Sequence, residues 1–93
     1  MVSAIVLMHI ERDMINEVAE KLSEIDGVSE VYSVAGEYDL VSIIRVPNND
    51  RLSEVVTERM RGINGITDTE TLISFRVFSN HDLDGMFTTG EEF

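Results

Sequence analysis

Two stretches of this chain, Val2–Ile10 and Tyr38–Val46, are apolar on both faces that a strand presents, and this constrains the fold more than any other feature. Successive side chains of a strand point to opposite sides, so a strand apolar in both registers must be covered above and below. Such strands belong at the centre of a sheet. Val28–Ala35, by contrast, carries Ser29, Glu30 and Ser33, and Ile66–Phe78 opens with Thr67, Thr69 and Thr71, so both read as edge strands. Met14, Ile15, Val18, Ala19, Leu22 and Ile25 fall at helical spacing behind Asp13 as an N-cap. Leu52, Val55, Val56 and Met60 do the same behind the cap candidates Asn48, Asn49 and Asp50, with Ile63 packing beyond the helix end. Asp26-Gly27 stops the first helix and Pro47 ends the third strand. The predicted order is βαββαβ.

A weak internal repeat supports two βαβ halves. Asp13-Met-Ile-Asn-Glu-Val echoes Asp50-Arg-Leu-Ser-Glu-Val, and Ile25-Asp-Gly-Val-Ser-Glu echoes Ile63-Asn-Gly-Ile-Thr-Asp. Right-handed crossovers interleave such halves into a ferredoxin-like α+β fold, a four-stranded antiparallel sheet ordered 4-1-3-2 with both helices on one face. The two doubly apolar strands are then the central pair. Two helices cover one face only, and an apolar face of several hundred Å² is unusual on a soluble monomer. The sheets of two subunits are expected to pack face to face as a dimeric α-β barrel.

Size and charge point the same way. A chain of 93 residues makes one small domain that buries only about 60–65% of its unfolded surface, and without cysteine it has no disulfide to offset that, so self-association is the remaining route. Its 18 acidic against 7 basic side chains give a net charge of −11, which repels nucleic acid. No direct nucleic-acid contact is expected. The longest apolar run, Ala4–Met8, is far below the ~20 residues of a membrane helix, and the chain reads as soluble and cytoplasmic. Residues 1–78 form the predicted domain. Residues 79–93 form a tail in which Leu83, Met86 and Phe87 suggest a short amphipathic turn.

The candidate site is the turn Gly36-Glu37-Tyr38-Asp39. Glycine supplies the positive φ that a two-residue primed hairpin turn needs, and the next positions put a phenol and a carboxylate at the head of a strand. A zwitterionic amino acid needs donors for its carboxylate and an acceptor for its ammonium. Amides around Gly36 offer the first and Asp39 the second, with Tyr38 as a rigid wall and Thr69 and Thr71 adding hydroxyls. A ligand of ~10 heavy atoms at roughly 0.5 kcal/mol each would bind with a dissociation constant of a few tenths of a millimolar. The structural alternatives are plain: Asp39 bonding turn amides, Tyr38 packing, and the threonines serving as strand formers.

The Gly-x-Tyr-Asp turn at Gly36, Tyr38 and Asp39, followed by the run Gly65-Ile66-Thr67-x-Thr69-x-Thr71, resembles the ligand-binding RAM domain of Lrp/AsnC transcription regulators, and the likeness runs from Val2 to Val77. What the resemblance implies is a face-to-face dimer, often a tetramer of dimers (an octamer), that holds amino-acid effectors between dimers near that turn and the fourth strand. Family regulators carry a helix-turn-helix domain ahead of this one, whereas this sequence starts directly at the first strand. The expectation is a stand-alone RAM protein that acts through assembly, alone or with full-length Lrp/AsnC regulators.

The rival reading is a dimeric α+β barrel enzyme of the small monooxygenase or isomerase type, since one fold hosts many functions. His9 and Arg45 are its only obvious volunteers. A third reading is a ligand-free structural partner. No nucleophile, phosphate-loop or cofactor motif is present, and His81, Asp82 and Asp84 lack the further ligands of a calcium loop, so no cofactor or metal is expected.

Overall fold

The computed structural model describes residues 1–78. Strand β1 (Val2–Ile10) leads through a 3₁₀ turn, Arg12–Met14, into helix α1 (Ile15–Ser23). Strands β2 (Val28–Ser33) and β3 (Leu40–Val46) follow, then helix α2 (Asn49–Glu54), a π-helical turn over Val55–Arg59, and strand β4 (Ile66–Ile73). All neighbouring strands are antiparallel in the order β2-β3-β1-β4, the predicted order read from its other edge. The doubly apolar strands are indeed the central pair.

Register divides the side chains between two faces. Ala4, Val6, Met8 and Ile10 of β1 and Leu40, Ile44 and Val46 of β3 are buried, and they pack with Val18, Leu22, Leu52, Val55 and Met60 from the helical side. Ser42 shares that core, its hydroxyl buried without a partner among the described residues. The alternate residues Ser3, Ile5, Leu7 and His9, with Val41, Ile43 and Arg45 opposite, occupy the other face. Nothing among the described residues covers it. Ile5 is 38% exposed, Leu72 45% and Tyr32 48%, so the open face is an apolar floor in contact with water.

Several predicted boundaries move. Asp13 does not cap α1, because the 3₁₀ turn Arg12–Met14 precedes it and no side chain caps the helix, which ends at Ser23. Asn48 does cap α2, its Oδ1 accepting the Arg51 N–H at 2.8 Å. Strand β2 stops at Ser33 rather than Ala35, and β4 at Ile73 rather than Phe78. The Ser74 N–H still bonds Ser3 O at 2.9 Å, but β1 begins at Val2, so residues beyond have no neighbouring strand among the described residues. Phe75, Val77 and Phe78 are exposed. The suggested helical turn in the tail and the His81/Asp82/Asp84 group lie outside the described residues.

Candidate functional site

The segment 34–39 is longer than the two-residue turn its sequence suggests. It closes with the Val34 N–H on Asp39 O at 3.1 Å, while the Asp39 N–H turns away to Met8 O on β1 at 2.9 Å. The Asp39 carboxylate follows, its Oδ2 accepting the Ile10 N–H at 2.8 Å. Both groups serve the end of β1, where the β1/β4 register slips between His9 and Ile10. Asp39 therefore caps a bulge across the sheet, not an amide of its own turn, and keeps its second oxygen for another donor. Gly36 has φ of 127°, and a Cβ placed there would meet nothing within 4 Å. Its backbone is open to close approach by another molecule.

Tyr38 points onto the open face. Its ring stacks on His9 with centroids 4.7 Å apart and planes inclined by 22°, and its hydroxyl donates to Glu70 Oε1 at 2.6 Å. His9 Nε2 lies 2.8 Å from Glu37 O and Nδ1 lies 3.5 Å from Asp68 Oδ2, so the imidazole bridges the 34–39 segment and β4. Tyr38, His9 and Glu70 thus form one connected group at the β1 end of the open face. The sequence offered His9 as a volunteer for the enzyme reading and did not join it to Tyr38, because its partners come from segments distant along the chain.

The neutral Tyr38 phenol is the donor to Glu70, so that bond opposes ionisation. Together with partial desolvation and the charges of Glu70, Glu37 and Asp68, it pushes the phenol up from 10.0 to about 12. Tyr32, the other tyrosine, is also raised, chiefly by a hydrogen bond to Glu30. A folded-state value above the unfolded one means that Tyr38's contribution to stability is fully present below pH 10.0 and is lost as pH rises through about 12. Phenolate absorbance followed against pH should lose its ionisation near 12 in Tyr38→Phe. In Glu70→Gln that ionisation should move down toward the ordinary value. An unchanged titration in Glu70→Gln would remove the Glu70 bond from the account.

Thr69 and Thr71 do not join this group. Thr69 pairs with Met8 and Thr71 with Val6, both core residues, so the two threonines project to the helical face of β4. Glu70 and Leu72 project to the open face. Thr69 borders a pocket with Val56, Met60, Arg61 and Ile63, and Thr71 borders another with Leu52 and Val56. Of the five predicted residues, Gly36, Tyr38 and Asp39 come together and the two threonines lie across the sheet. Among the described residues no group of three or more His, Cys, Asp or Glu could hold a metal ion, and no helix is long and apolar enough to cross a membrane.

A four-stranded antiparallel sheet with helices on one face defines a small ferredoxin-like α+β domain. Residues 3–83 match the Lrp/AsnC ligand binding domain, and the chain belongs to that family. An uncharacterised HTH-type transcriptional regulator of Pyrococcus furiosus is 42% identical over 59 residues, which are 63% of this chain and 39% of that protein. The chain thus spans well under half the length of that relative. Among solved structures, TTHA0845 from Thermus thermophilus superposes with a TM-score of 0.80 at 37% identity, covering 85% of this chain and 99% of that one. The feast or famine regulatory protein of M. tuberculosis complexed with L-methionine superposes with a TM-score of 0.71 at 26% identity, covering 85% of this chain and 53% of that one.

Proposed function

We propose that this domain senses an amino acid and transmits the signal through assembly, as a face-to-face dimer that associates further into a tetramer of dimers and modulates Lrp/AsnC-type regulators. The observation that carries this reading is the division of the site across the sheet. Gly36, Tyr38 and Asp39 stand at one end of the open face, and Thr69 and Thr71 stand on the helical face, so one subunit cannot offer both sets to one small ligand. Subunits of adjacent dimers can. A ligand held in that way binds the larger assembly alone and shifts the equilibrium toward it by its differential affinity. The amino-acid complex of the M. tuberculosis relative supports the ligand class.

In this reading the open Gly36 backbone meets the effector carboxylate, and the free Asp39 oxygen meets its ammonium. The protein acts in the cytoplasm and is not an enzyme. His9 and Arg45, the residues an α+β barrel enzyme would use, sit at opposite ends of the same face, His9 beside Asp68 and Arg45 beside Ser3.

Asp39→Asn separates the roles, because an amide oxygen still accepts the Ile10 N–H but cannot pair with an ammonium. Its L-methionine affinity, read by calorimetry, should fall by about 1.5–3 kcal/mol while thermal stability changes little. Unchanged binding, or loss of folding, would leave Asp39 a structural cap and nothing more.

A further inference from the structure

We propose that the pocket lined by Arg45 and Arg76, at the end of the open face away from His9 and Tyr38, binds a phosphate monoester that carries a planar aromatic body, a nucleoside monophosphate being the class that fits. This goes beyond the effector reading, since the pocket uses none of Gly36, Tyr38, Asp39, Thr69 or Thr71.

The sheet register builds it. Arg45 of β3 stands opposite Ser3 of β1, and the Ser74 N–H just beyond β4 bonds Ser3 O at 2.9 Å, so the three residues form one row across the sheet. Arg76 follows Ser74 by two positions and lines the same pocket. The volume of about 440 Å³ falls within the roughly 300–1,000 Å³ of small-molecule sites.

Its charge singles it out. Of the seven basic side chains, Lys21, Arg51 and Arg59 are paired with carboxylates, while those of Arg12, Arg45, Arg61 and Arg76 make no ion pair or hydrogen bond among the described residues. Arg61 borders its pocket together with Asp68, and Arg12 lies in the 3₁₀ turn before α1. Arg45 and Arg76 instead share one pocket, and no acid lines it, in a chain with 18 acidic residues. On the neighbouring strand Glu30 stands opposite Ile43 and is engaged by Tyr32. Two guanidinium groups that line one cavity without a carboxylate suit an anion of two charges.

The other donors favour a phosphate over a dicarboxylate. The N–H groups of Phe75, Arg76 and Val77 make no backbone hydrogen bond among the described residues, since β1 begins at Val2. A phosphate monoester is close to a dianion at neutral pH and presents three acceptor oxygens from one centre, enough for both guanidinium forks and an amide. A dicarboxylate divides its charge between two ends. The exposed ring of Phe75, on the pocket wall, gives an aromatic base a face to stack on. The net charge of −11 does not cancel this local field, because at physiological ionic strength exposed charges more than ~8 Å away are largely screened.

Adenosine 5′-monophosphate, adenosine, inorganic phosphate and glutarate, each added to the full chain, test the proposal. Amide shifts in NMR titrations locate binding and calorimetry measures it. The monophosphate should shift the amides of Ser3, Arg45, Phe75 and Arg76, and the other three compounds should bind there at least ~10-fold more weakly. Both arginines are exposed, so Arg45→Gln and Arg76→Gln keep the fold, and each should weaken the monophosphate by ~10-fold or more. Asp39→Asn should bind the monophosphate as the wild type does, which keeps this test independent of the effector site. Shifts confined to other residues, adenosine or glutarate binding as tightly as the monophosphate, or either arginine variant with unchanged affinity would each overturn the proposal. So would a monophosphate that binds only after Asp82, Asp84, Glu91 and Glu92 are all replaced by their amides, since the pocket's occupant would then be the chain's own acidic segment.

Discussion

Gly27→Ala and Gly65→Ala are each expected to destabilise the fold by about 2–4 kcal/mol. Both glycines have φ of 106°, where an L side chain is strained by about 1–3 kcal/mol. Both also lie against the core. A Cβ on Gly27 would stand 2.9 Å from Val46 Cγ1 and 3.3 Å from Val55 Cγ2; on Gly65 it would stand 2.9 Å from Val18 Cγ2 and 3.1 Å from Met14 Sδ. Valine is stiff at χ1, so the Gly27 contact has no cheap escape, and overpacking of this kind adds roughly 1–3 kcal/mol. The flexible methionine lets part of the Gly65 contact relax. Gly36→Ala is the control, with φ of 127° but open space around it, and should show the strain alone. Urea midpoints at unchanged m-value give the comparison. If Gly36→Ala costs as much as the other two, packing against the core is not what fixes these glycines.

The two costly glycines occupy the same place in the internal repeat, Ile25-Asp-Gly-Val and Ile63-Asn-Gly-Ile, and this explains why so much of the fold was legible. Each half enters its second strand by the same turn, so the repeat together with the doubly apolar Val2–Ile10 and Tyr38–Val46 determined strand order and the helical face, although β3 itself starts at Leu40. The site was less legible because it depends on pairings that the linear pattern does not encode. Counting alternately from Ile66, which packs on the core, puts Thr67, Thr69 and Thr71 on the open face beside Tyr38. The bulge inserts Thr67 between the pairs His9–Asp68 and Ile10–Ile66, and every later residue of β4 changes sides. The length of the 34–39 segment was hidden for a related reason. Asp39 spends its amide on Met8 O and one carboxylate oxygen on Ile10 N, partners some thirty positions away that no turn rule anticipates.

The open face supplies the second large effect: Ile5→Asp should convert a dimer into a folded monomer. Ile5 is the centre of that face, paired with Ile43 on one side and Leu72 on the other, with Leu7 and Val41 beside them. It is 38% exposed in the single subunit, so its side chain contributes little to the subunit's own core. Two such faces brought together could reach the roughly 1,200–2,000 Å² of a stable interface, with Ser3, Arg45, Glu70 and His9 as a polar rim around the apolar centre. A carboxylate at Ile5 would be buried twice near the two-fold axis, each copy desolvated and opposed by its mate. Buried charge without a partner costs several kcal/mol, enough to separate the subunits at micromolar concentration. The subunit itself should survive, because Ala4 and Val6, which hold β1 to the helices, point the other way. Sedimentation velocity and far-ultraviolet circular dichroism on the same samples read both effects. Lys21→Glu, on the outer surface of α1, adds negative charge away from the sheet and should remain dimeric. A wild-type protein that sediments as a monomer, or an Ile5→Asp protein that stays dimeric, would rule out pairing through this face and with it the assembly through which the domain is proposed to act.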